Sequence, residues 1–289
     1  MYDYSVKSHY LVLHLSTTQP YISVEPNNAA AIKSITDCLM AINTWMSNNF
    51  LKLNEDKTEI LLVSPAMKRE MLLNNMGKLT PWVKHEVTSL CVIIDSDLSF
   101  KSHVNKVTKT SFFHLKNIAK VRPFINQRDT EKLIHAFISS RLDYCNALLT
   151  GLPKKTTNRL QLIQNSAARL LTRTKRREHI TPVLATLHWL PVTFRIDFNV
   201  LLLVYKALNG MGPGYITNSL TNYTPTRTLR SSDTGLLVTR NSHKKIGAAA
   251  FVNYAPKLWN TLPKNIRESN TLDIFKRHLK TYIFTKAFD

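Results

Sequence analysis

The chain has 289 residues, 44% of them apolar and 20% charged, with a formal net charge of +20. This is the composition of a globular chain with a real core rather than a disordered one. Seven glycines and no G-x-G-x-x-G or P-loop word exclude a glycine-rich phosphate-binding fold, while the positive excess predicts attraction to polyanions, nucleic acid ahead of an anionic membrane surface.

Cys38, Cys91 and Cys145 are odd in number and far apart, without a C-x-x-C word, and read as reduced, largely buried residues. Met1 to Tyr10 carries no secretory apolar region, and the longest apolar run, Val200 to Val204, is far too short to span a membrane. The expectation is an intracellular protein, cytoplasmic or nuclear, with no membrane partner and no small-molecule substrate.

In chain order, residues 1–13 give little signal, and His14 to Val24 is marked by Pro20, which has no N–H for a ladder. Asn28 is placed to cap a helix of about 20 residues with Ile32, Ile35, Leu39, Ile42 and Trp45/Met46 on one face. Thr58 to Val63 reads as a short apolar strand, 66–85 as a loop or poorly formed helix, and Val87 to Ile94 as a second strand before the turn residues Asp95-Ser96-Asp97. From Ser99 the pattern is helical. A stripe of Val104, Val107, Ser111, Leu115 and Ile118 ends at Pro123. Asp129 opens a helix with Leu133, Phe137, Ile138, Leu142 and Cys145 inward, and a third helix runs from about Thr156 to Thr174. Thr181–Thr186 is a short helix, and Thr193 to Asn209, apolar all round at its centre, is the buried helix of this half. Residues 221–247 read as an exposed basic loop or β-arm with a strand at 235–239, and Asn270 caps a closing helix. The fold class expected is α+β, mostly α-helical, a small sheet followed by a helical domain.

Residues 151–177 carry Lys154, Lys155, Arg159, Arg169, Arg173, Lys175, Arg176 and Arg177 and no acidic residue. Such a block repels itself unless a polyanion relieves it. Arg169, Arg173, Arg176 and Arg177 advance by three or four, as if on one helix face. Lys101, Lys106, Lys109, Lys116 and Lys120 supply a second candidate face. Both sets are candidates for sequence-independent phosphate contact with RNA or DNA. Arg227, Arg230, Arg240, Lys244 and Lys245 form a weaker group on the arm. Trp189, Trp259, Phe194 and Phe198 are expected to pack in the core rather than stack on bases. The histidines show no metal-ligand spacing, and no G-x-S-x-G elbow occurs.

Two words then stand out: Trp45-x-x-x-Asn49-x-Leu51-x-Leu53-Asn54-x-x-Lys57-Thr58-Glu59, and Leu90-x-Val92-x-x-Asp95-x-x-Leu98-x-Phe100. Their order resembles the last two motifs of a reverse-transcriptase palm of the LINE type of non-LTR retrotransposon, and the resemblance runs to the last residue through Ala255-Pro256-Lys257-Leu258-Trp259-Asn260-Thr261-Leu262-Pro263. It implies the end of a palm at 1–98, a thumb-like helical domain at 99–220 and a basic arm with C-terminal helices at 221–289. The family activity is RNA-directed DNA polymerase with Mg²⁺. Here the positions of the metal-binding aspartates fall on Ser16 and Thr17, hydroxyls being far weaker Mg²⁺ ligands than carboxylates. The resemblance therefore implies a truncated, catalytically inactive chain with no cofactor, in which Lys57 is a vestigial general acid. Asp95 and Asp97 fit turn-forming residues better than a metal pair, and Cys91 replaces the glycine usual at its place in the hairpin. Residual non-specific nucleic-acid binding is the expected function; a helical interaction module without a nucleic-acid role is the alternative.

Overall fold

The apolar run Ile60-Leu61-Leu62 predicts a strand shielded on both faces, and in the computed structural model all three residues are buried in the strand Glu59–Val63. The structure describes residues 10–14, 21–23, 29–54, 57–224, 235–242 and 245–289. The chain divides into two units, Met1–His103 and Val104–Asp289.

In the first unit β1 (Tyr10–His14) pairs antiparallel with β2 (Tyr21–Ser23). Helix α1 (Ala29–Asn48) leads to β3 (Glu59–Val63), which pairs antiparallel with β1 from Tyr10↔Val63 to His14↔Glu59. Residues 66–82 form helix α2 (Ala66–Asn75) and a 3₁₀ turn, Gly77–Trp82, which return the chain to β4 (Val83–Lys84), parallel to β3. Ile35 and Leu39 of α1, Ile60 and Leu62 of β3, and Leu72, Met76 and Leu79 make one core. Each such side chain contributes about 1.5–3 kcal/mol by leaving water. Of the loop or poorly formed helix expected at 66–85, the structure shows a helix at 66–75 within an ordered crossover, docked by the apolar Leu72, Met76 and Leu79.

The strand expected at 87–94, whose flanking turn residues fit a hairpin or a strand edge, is itself folded into a hairpin, β5 (Glu86–Ser89) with β6 (Val92–Asp95). Leu90 and Cys91 turn the chain with φ of 44° and 67°, a left-handed pair that the β-branched run concealed. The Asp95 carboxylate then accepts N–H bonds from Asp97 at 3.1 Å, Ser99 at 2.9 Å and Phe100 at 2.6 Å, presetting the start of the next helix.

The second unit is helical. Its elements are α3 (Lys101–Val121, begun in the last residues of the first unit), α4 (Gln127–Ile134), a π-turn (His135–Ser139), α5 (Ser140–Asp143) and α6 (Lys154–Thr172). They continue with α7 (Thr181–Thr186), α8 (Val192–Leu208), α9 (Gly214–Thr217), α10 (Lys245–Ala249), α11 (Phe251–Asn260), α12 (Lys264–Arg267) and α13 (Leu272–Phe288). Helix α8 is the packed centre, touching α5, α6, α9, α11 and α13. Its Tyr205 stacks on Phe275 at 4.2 Å and donates to the Ser269 carbonyl at 2.7 Å, with Trp259 beside the same ring. Tyr254 donates to Asp197 at 2.6 Å. Burial pushes the Asp197 carboxyl above its ordinary range although that bond and Lys286 oppose it, and burial with the Asp197 contact raises Tyr254. The architecture is α+β and mostly helical.

Several local expectations are corrected. Asn126, not Asp129, caps α4, its Oδ1 accepting the Asp129 N–H at 2.8 Å. Thr271, not Asn270, caps α13. Cys91 and Cys145 are exposed and Cys38 is half-buried, because the first two occupy left-handed turns rather than core positions. Phe137 is also exposed; the π-turn shifts the face that the periodicity placed inward. The strand expected at 235–239 is a lone bridge, Asn222↔Leu237, clamped by Asn260 donating to the Leu237 carbonyl and accepting its N–H. Among the described residues no helix is long and apolar enough to cross a membrane.

Candidate nucleic-acid interface

Helix α3 sorts its side chains by physical type. Val104, Ser111, Leu115 and Ile118 are buried, while Lys106, Lys109, Lys116 and Lys120 are exposed. At about 100° per residue these four lysines fall within an arc of about 80°, opposite the buried stripe. Lys101 stands at the first turn, about a quarter-turn aside. No acidic residue occurs between Asp97 and Asp129 to neutralise this face.

Two phenylalanines share it. Phe113, 60% exposed, sits one turn after Lys109 and one turn before Lys116. Phe112, 41% exposed, lies toward the Lys101 edge. Phe113 meets His114 edge-on at 5.5 Å, and His114 stacks on Phe137 at 5.0 Å with an interplanar angle of 21°. Phe137 belongs to the π-turn, where the Ser140 N–H reaches the His135 carbonyl and one extra residue widens the helix. Arg141 of α5 approaches His114 Nε2 at 3.4 Å.

Helix α6 is joined to α3 by side-chain hydrogen bonds near both ends. Arg159 donates to Asn105, the residue before Lys106. The buried Arg122, just past α3, donates to the Leu170 and Leu171 carbonyls at 3.4 and 3.2 Å and to Ile125 at 3.0 Å. Those carbonyls belong to the last turn of α6, where no intrahelical donor remains for them.

The arginine row expected on one helix face is not there. Helix α6 stops at Thr172 because Arg173 turns left-handed, with φ of 59°. Arg169 bends back to donate to the Lys175 and Glu178 carbonyls, so its charge serves the turn. Arg173, Arg176 and Arg177 are exposed in that turn and follow the end of α6 that Arg122 joins to α3. The structure thus brings together Lys106, Lys109, Lys116 and Lys120, removes Arg169, and adds Arg141, Arg159, Phe112 and Phe113 to the surface expected from sequence. The signal for the phenylalanines was present, since the α3 stripe has no place for either.

The remaining candidates separate. Lys57 is exposed in a short turn, its N–H on Asn54. Asp97 pairs with Arg69 while Asp95 caps the approach to α3, and among the described residues no His, Cys, Asp and Glu cluster fits a metal. Trp189 and Trp259 are buried, Phe194 and Phe198 half-buried. Arg240 is exposed, whereas Ser16, Thr17, Pro20, Asn28, Arg227, Arg230 and Lys244 lie outside the described residues, as does the side chain of Lys245. A cleft of about 290 Å³ beside α6 and α8 is lined by Gln161 and Asn165. Gln161 already serves Gln164, Asn165 and the Val192 N–H, which makes this cleft part of the scaffold.

No protein family, characterised protein or solved structure matches this chain.

Proposed function

We propose that this protein is a reverse-transcriptase-like chain without polymerase activity that binds RNA or DNA through its phosphates. The observation that carries the binding is the placement of Lys106, Lys109, Lys116 and Lys120 on the solvent side of α3, with Arg159 at one flank and Arg141 at the other. Ammonium groups on flexible stems neutralise phosphates and release counterions without choosing bases. The family reading rests on the two sequence words. The order of a β1–β2 pair, helix α1, β3, the β5–β6 hairpin and then helices favours it.

Inactivity follows from donor chemistry at positions 16 and 17. Serine and threonine hydroxyls do not fit a Mg²⁺ pair, so no metal step is assigned and Lys57 has no partner reaction to assist. Primer extension with Mg²⁺ is expected to give no incorporation.

Binding is tested by titrating a labelled RNA–DNA hybrid at two salt concentrations. Tight, salt-sensitive binding is expected, weakened by combined Lys106→Gln, Lys109→Gln, Lys116→Gln and Lys120→Gln changes and less by Arg173→Ala, Arg176→Ala and Arg177→Ala. Charge-independent binding, or none, overturns the reading. It would leave a helical interaction module, for which the exposed Met40, Trp45 and Phe50 at α1 and the turn that follows it are the specific observation.

A further inference from the structure

We infer that the α3 face prefers single-stranded nucleic acid, holding an unpaired base against Phe113 while the neighbouring lysines hold the backbone; the inference rests on the phosphate-binding reading above. Phe113 leaves 60% of its surface in water at the centre of the basic face, on a helix whose core stripe is complete without it. Beyond its edge contact with His114, a ring so placed gains little from the fold. It gains from a second flat apolar group, and the lysines around it select one that arrives attached to negative charge.

A nucleobase on a phosphate chain meets both conditions. Base stacking on an aromatic side chain is sequence-tolerant because every base has a π-face. In a duplex those faces are spent on neighbouring bases, so the ring discriminates against paired strands while the lysines do not. Lys109 and Lys116 lie about 10 Å apart along the axis with Phe113 between them, so phosphates on either side of a stacked base are within reach of the two stems. The His114–Phe137 stack continues the aromatic surface from α3 onto the π-turn, and Arg141 at its edge adds a planar cation that also stacks on bases. Phe112, toward the Arg159 flank, repeats the arrangement on the other side.

The full chain is titrated by fluorescence anisotropy against three probes: an oligothymidine, a hairpin duplex with the same number of phosphates, and an oligonucleotide of equal length carrying abasic sites. Oligothymidine is expected to bind tightest. Phe113→Ala should weaken it roughly tenfold, the lower part of the range for one lost base stack, and leave the duplex and abasic affinities unchanged. Phe113→Trp should restore it. Circular dichroism of each variant checks that the helices persist. If abasic and oligothymidine probes bind alike, or Phe113→Ala weakens duplex and single strand equally, the stacking inference is wrong while the phosphate reading stands. If no probe binds the parent chain, or the four-lysine variant binds all probes as the parent does, the phosphate reading fails and this inference with it.

Discussion

Leu90 and Cys91 occupy the two central positions of a hairpin turn in which both φ values are positive, the geometry that favours Asn-Gly. A residue with a Cβ in the left-handed region costs about 1–2 kcal/mol. Glycine would relieve that cost and lose about 0.5–1 kcal/mol through its freer unfolded state. Relief outweighs that loss, so Cys91→Gly should stabilise the protein by about 0.5–1 kcal/mol in urea unfolding; a lowered midpoint would show the turn to be unstrained. Asp197 makes a prediction of opposite character. Burial holds its carboxyl above the ordinary value of 3.8, so the folded chain keeps this proton more tightly than the unfolded one. Its contribution is therefore present below pH about 4 and is lost as pH rises through the folded value. Thermal unfolding should show the parent chain losing stability relative to Asp197→Asn between pH 4 and neutrality, and parallel pH profiles would refute it.

At the scale of elements, one of the two ties between α3 and α6, the one opposite Arg159 and Asn105, rests on a single buried side chain. Arg122 is buried and satisfies carbonyls of the last turn of α6. Methionine fills similar volume without donors, and hydrogen bonds from a charged group are worth about 1.5–3 kcal/mol. Arg122→Met should therefore cost about that much in denaturant unfolding, where an exposed arginine such as Arg128 should cost almost nothing on truncation. This joint was not legible in the sequence, because a long-range side-chain cap leaves no period; Arg122 reads there as one more surface charge. Helix α3 was legible, its stripe and its lysines both following the 3.6-residue repeat. The arginine row failed for a related reason: spacing by three and four continues on paper past Arg173, whereas the chain turns left-handed at that residue. The β5–β6 turn was hidden because Leu90 and Cys91 carry no turn chemistry.

For the whole molecule, the net charge of +20 matters through its distribution rather than its size. A diffuse excess gives weak attraction everywhere, and an opposed pair of faces on α3 gives a row. Replacing its four lysines should lower the slope of log affinity against log salt by about 3–4 on a duplex, at about 0.9 per phosphate contact; a slope unchanged by those replacements would place the binding elsewhere. The thiols have a practical consequence. Cys91 lies in the first unit and Cys145 in the second, both exposed, while Cys38 is half-buried. A maleimide should therefore label Cys91 and Cys145 ahead of Cys38, as peptide mass mapping would read out. With Cys38→Ser in place, a donor and acceptor dye on those two native sulfurs would let energy transfer report whether adding a nucleic acid strand alters the distance between the two labels.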